Sequence, residues 1–155
     1  MKRWGWQRDD GANLIEFAIL APFLILLLFG IIEFAWLFAQ NLDVRHGARE
    51  GARLAAVNFP EGVTNGGART DANRDTLVAE VCGRMDLASG ASVDLQSSGA
   101  VGEAATAAVE APGNTLTGLL DWALPPSLTL SSAVEIRLEQ PATWSNTPAG
   151  GQPCP

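Results

Sequence analysis

Apolar positions are spread very unevenly along this chain. Residues 14–39 contain only two charged side chains, Glu16 and Glu33, and residues 17–32 form an unbroken uncharged run of 16. A bilayer core takes about 20 apolar residues as a helix, so the stretch is predicted to be one membrane span with some tilt. Pro22 lies inside it and deletes the backbone hydrogen bond to the Ala18 carbonyl, which predicts a kink or a neighbour that satisfies the freed group. Gly30 adds a second soft point. Beyond the span, residues 40–57 keep a helical pattern. Arg45, Arg49 and Arg53 recur every four residues and share one face. Gly47, Gly51 and Ala55 form a second such row. Each glycine costs about 1 kcal/mol relative to alanine inside a helix, so the row is read as a surface for close packing against another helix.

Residues 58–69 break the pattern with Asn58, Pro60, Gly62, Asn65, Gly66 and Gly67, all turn formers. Residues 70–85 predict a helix, because Leu77, Val78, Val81 and Met85 fall on one face and Asp71 and Asp75 lie in or near the first turn. Alternation then predicts short strands at 91–96, at 103–110 and, most clearly, at 127–139. Between the last two, turn residues bracket a short apolar piece at 116–124. From Pro141 onward the chain is rich in Pro and Gly and is expected to be loose apart from Cys154. The predicted fold is α+β: a leader at 1–11, a transmembrane helix with its extension at 12–57, and a small domain at 58–155 with a short helix and a few antiparallel strands.

Charge sharpens this division. Residues 1–57 balance six basic against six acidic groups, whereas 58–155 carry four basic and eleven acidic groups, so the whole net charge of −7 lies there. An acidic domain without lysine is a poor partner for nucleic acid. Lys2, Arg3 and Arg8 before the span are matched by Arg45, Arg49 and Arg53 after it, so charge does not orient the span. Cys82 and Cys154 allow one disulfide or two free thiols, depending on the compartment. Two Cys and one His make no metal set of usable spacing. No motif for phosphate binding, an activated serine, a zinc protease or a redox dithiol occurs. His46 stands alone and is read as a surface or interface residue. No catalytic residue and no cofactor is expected.

The acids in the span need an explanation. Glu33 is near the far end, where water or headgroups are within reach; it is expected to be interfacial and solvated, the alternative being a packing or pairing role. It is about 100° out of phase with Glu16 around the helix, so the two do not form a facing pair. Glu16 would cost up to about 2.5–3.5 kcal/mol inside a bilayer, less near an end. Three readings cover the stretch. A cleaved secretory signal would have a shorter core and an A-x-A-like site; the end of this run, FAWLFAQN, has none. A plain anchor leaves Glu16 unexplained. A pilin-like signal, with the leader ending before the apolar run, needs Gly, four residues, Glu and an aromatic, which Gly11 to Phe17 supplies.

The order of these pieces resembles the TadE-like family, minor pilin-like proteins (pseudopilins) of the Tad, or tight adherence, pilus assembly system. The resemblance rests on E-F-A-x-L-x-P-x-L-x-L-L from Glu16 to Leu27, on I-x-E-F ending at Phe34, and on A-R-E-G-A-R ending at Arg53. It implies a structural protein of the bacterial cytoplasmic membrane, single-pass, with a cytoplasmic N-terminus and an extracytoplasmic domain. It also implies cleavage between Gly11 and Ala12 by a prepilin peptidase. Glu16, then the fifth residue, is expected to pair with the Ala12 amino group of a neighbouring subunit. Phe17, where the major pilins of the system carry Tyr, and Ala12 as first mature residue favour a minor component. The expected partners are other pilin-like subunits and the Tad machinery, in adhesion, uptake or secretion. The competing reading is a single-pass anchored binding or accessory secretion protein.

Overall fold

The computed structural model describes residues 9–59, 67–119, 121–125 and 127–155, with Asp9 and Asp10 described by their backbone alone. Residues 60–66 of the expected turn lie outside the described residues. Helix α1 (Asp9–Ala56) is 48 residues long, about 72 Å at 1.5 Å per residue. It runs through Pro22 without ending. Helix α2 (Asp71–Cys82) follows, then β1 (Ser92–Ser97), β2 (Ala104–Pro112), β3 (Thr129–Arg137) and the two-residue β4 (Gln152–Pro153). The strands form one antiparallel sheet in the order β3-β2-β1-β4. The fold is α+β.

The two halves of α1 have different surroundings. No residue from 11 to 32 is buried. From Glu33 onward one face is covered: Glu33, Leu37, Gln40, Val44, Ala48, Ala52 and Ala55 are buried. Their spacing of three or four residues is a single helical stripe. The second half of the helix is therefore the spine of the folded domain. The sheet lies across it through β2 and β3. Ala105, Ala107, Val109 and Ala111 alternate inward along β2, the period-2 pattern of a half-buried strand.

Small side chains on both surfaces let helix and sheet approach closely. A Cβ added at Gly51 would lie 3.3 Å from Val81 and 3.4 Å from Ala107, and one at Gly47 would overlap the Met85 sulfur. Gly47 and Gly51 thus face the α2 side of this chain's own domain, Gly51 together with β2, and Ala55 lies in the same buried core. The end of α1 is a Schellman-type cap. Asn58 takes a positive φ of 56°, its N–H bonds to the Ala55 carbonyl at 3.2 Å, and the Phe59 N–H bonds to Leu54 at 3.0 Å. The Asn58 side chain then accepts from the Thr143 N–H at 2.7 Å, joining the helix end to the C-terminal segment.

That segment is packed, contrary to the loose tail expected from its Pro and Gly content. Trp144 is fully buried, and Ala142, Thr143 and Thr147 are buried with it. The cause is backbone pairing. Thr147 N–H bonds to Leu95, Thr70 N–H to Thr143, Ser145 N–H to Thr70 and Cys154 N–H to Ala91. Arg69 reinforces it, donating to the Trp144 carbonyl at 2.8 Å and to the Ser97 carbonyl at 3.0 Å while its guanidinium lies 5.6 Å from the Trp144 ring centroid. Burial pushes this guanidinium below its ordinary pKa.

Cys82 and Cys154 are joined across 72 residues with their Cα atoms 5.6 Å apart. The bond ties the end of α2 to the end of the chain. Closing a loop of that length stabilises by about 4 kcal/mol in the chain-entropy model. Replacing both cysteines by serine is expected to cost about 2–4 kcal/mol in a denaturant titration of the detergent-solubilised chain. A midpoint that does not move would show that the tail is held by its backbone pairing alone.

Candidate functional site

Two places on α1 carry polar chemistry in apolar surroundings. The first is the N-terminal end. Gly11 and Ala12 lie within the first turn of α1 and are exposed, as are Glu16 and Phe17. A Cβ built on Gly11 has nothing within 4 Å. A bond in the first turn is the least costly part of a helix to open, since the first four N–H groups have no partner within the helix. Among the described residues Glu16 meets no hydrogen-bond or ion-pair partner. It stands on a helix whose neighbours Ile15, Phe17, Ile19 and Leu20 are exposed apolar side chains.

The second place was not anticipated as a site. Glu33 is not solvated; it is fully buried. Its Oε1 accepts from the Leu116 N–H at 2.6 Å. Its Oε2 accepts from the Thr117 N–H at 3.1 Å and from the Thr117 hydroxyl at 2.7 Å. Two turns further along the same stripe, Gln40 is also fully buried. It donates to the Asn114 carbonyl at 2.6 Å and accepts from the Asn114 N–H at 3.0 Å. The two side chains together hold residues 114–117, the start of the connection from β2 to β3. Asp43 does the same for the other flank, accepting from the Leu87 and Ala88 N–H groups at 2.8 and 3.0 Å. An acceptor-only carboxylate against converging N–H donors is the arrangement in which burial is tolerated.

The local signal for this was the stripe itself. Glu33 and Gln40 fall in phase with Leu37, Val44 and Ala48, so polar side chains occupy core positions of the helix, which requires partners. Those partners are 74 to 84 residues away in sequence and leave no local trace.

Glu50 links α1 to the end of α2. Arg53 bonds to its carboxylate at 2.6 Å, Arg84 contacts the same oxygen, and Arg84 also meets Glu80 at 2.8 Å. The hydrogen bond from Arg53, with the nearby charges of Arg53 and Arg84, lowers the Glu50 pKa against the opposing effect of desolvation. Among the described residues no group of three or more His, Cys, Asp or Glu side chains could hold a metal ion.

The site and fold define a class: a small α+β domain built on the second half of one long helix, whose first half is long and apolar enough to cross a membrane. Residues 11–53 form a TadE-like domain, matching the model of the family described as TadE-like protein. The match covers both halves of α1, from Gly11 to the last turn, and includes Glu16, Glu33 and Gln40. No curated protein and no solved structure matches the chain.

Removing the Glu33 carboxyl strands the Leu116 and Thr117 donors. The variant Glu33→Ala is expected to lose about 2–3 kcal/mol of stability and to be cut faster by protease between residues 114 and 122. Glu33→Gln, which keeps one acceptor, should fall between that variant and wild type. Equal stability and equal cleavage in all three would refute the anchoring role.

Proposed function

We propose that this chain is a membrane-anchored minor pilin-like component of Tad pilus assembly, processed after Gly11 by a prepilin peptidase. The observation that carries the reading is the coincidence of the TadE-like match with a single continuous helix. Its first half carries an uncharged run from residue 17 to residue 32 with no buried residue, and its second half contributes a buried stripe to the domain core. Such a helix would join a folded domain directly to a bilayer and to neighbouring helices.

Three features support it. Glu16 lies in the apolar half without a partner of its own among the described residues, so assembly with another chain would supply one. Cleavage after Gly11 creates an amino group at Ala12, and pairing it with Glu16 of a neighbour offsets the desolvation of both charges; losing one partner of such a pair costs about 3–5 kcal/mol. The Cys82–Cys154 bond fits a domain on the oxidising side of the membrane, with the N-terminus in the cytoplasm. The machinery in this reading is the Tad secretion and assembly complex, and the role is structural: adhesion, uptake or secretion through the assembled system.

Co-expression with a prepilin peptidase is expected to shorten the chain by eleven residues and leave Ala12 at its amino terminus, read by intact-mass measurement. In the same cells Glu16→Ala should insert and be cleaved but fail to co-purify with partner pilins. An unchanged mass would overturn processing and leave an anchored accessory protein as the better reading. Normal co-purification of Glu16→Ala would remove the pairing role.

A further inference from the structure

We propose that the connection from β2 to β3 is a lipid-docking element: Leu116, Leu119 and Trp122 sit in the headgroup–acyl boundary of the bilayer beside α1. The inference rests on reading the first half of α1 as a membrane span, and goes beyond it.

Position along the helix carries it. Glu33 holds the Leu116 and Thr117 backbone directly, so this segment lies at the level of residue 33. A span of about 20 residues that starts near Leu14 ends at that level. Sheet direction agrees. The start of β2 pairs with the end of β3 and lies near the far end of α1, where the Glu139 N–H bonds to Ala56. The β2–β3 connection therefore hangs from the opposite edge, toward the span.

The side chains there suit a lipid boundary. Leu116 is 53% exposed, Leu119 50% and Trp122 83%, a concentration of apolar surface unusual in a short loop facing water. Trp is the residue enriched where apolar chains meet headgroups. The segment 114–125 has no basic residue, and its single acid, Asp121, accepts from the Thr115 hydroxyl at 2.6 Å. Exposed Phe34 and Phe38 continue the apolar belt around the helix at the same height. Because the domain is acidic, attraction to an anionic surface cannot hold it down. Contact with lipid is apolar and shallow, and should be insensitive to salt.

The test uses the full chain in phospholipid nanodiscs, with one environment-sensitive fluorophore per sample on an introduced cysteine and the native disulfide intact. Labels at Trp122→Cys, Leu24→Cys and Val101→Cys report the loop, the span and the far end of the domain. Lipids carrying a quencher near the headgroup are expected to reduce the signal at 122 at least twofold, at both low and high salt. A deep-chain quencher should act on 24, and neither should act on 101. Quenching at 24 with 122 behaving like 101 overturns the docking and leaves the span standing. A label at 122 shielded from aqueous quencher but untouched by lipid quencher would mean that protein covers the loop, and overturns it too. No quenching at 24 overturns the span and the docking together.

Discussion

The structure depends on what a single helix does with a carboxyl group at its midpoint. Glu33 stands where α1 leaves its uncharged run, and water does not reach it. A buried carboxylate is costly unless converging donors replace its hydration, and here the donors are the backbone and hydroxyl of a segment more than 80 residues away. Once that segment is held, the β2–β3 connection lies alongside the helix. Gln40 repeats the contact two turns on. The helix is thereby committed to the domain from residue 33, and the exposed apolar half is left with a sharp boundary.

Close packing follows from the same commitment. The sheet can lie against α1 because both surfaces are made of small residues: Gly51 and the alanines of the helix against the alternating alanines of β2. Such a contact gains dispersion energy over its whole length but tolerates little added volume. The elements that cover the remaining edges are fastened individually: α2 through Glu50 and the arginines, the C-terminal segment through its backbone pairing and the disulfide. The result is a small domain fastened along the second half of one continuous helix.

The long apolar helix, its end at Asn58, the α2 region and the three longer strands were legible in the sequence, because each is encoded by a local period or a local breaker. Glu16 was legible as an anomaly, since its cost in lipid is a property of one residue in one stretch. The role of Glu33 was not, because a side chain near a span end is equally compatible with water, and its actual partners are Leu116 and Thr117. The small-residue row announced close packing against another helix; Gly51 does meet Val81 of α2, but also Ala107 of β2, so the occupant is the chain's own domain. The tail misled for a related reason. Pro and Gly describe what local backbone a segment avoids, whereas Trp144 and Thr147 are ordered by pairing with β1 and the start of α2.

The central claim is that one uninterrupted helix joins the apolar half to the domain core, with Glu33 marking the junction. Amide hydrogen exchange of the intact chain in phospholipid nanodiscs tests it most directly. Continuous protection from residue 20 to residue 55, with slow exchange at the Leu116 and Thr117 amides, is the expected result. Fast exchange confined to residues 33–42, with the flanking halves still protected, would reveal a hinge there and contradict it.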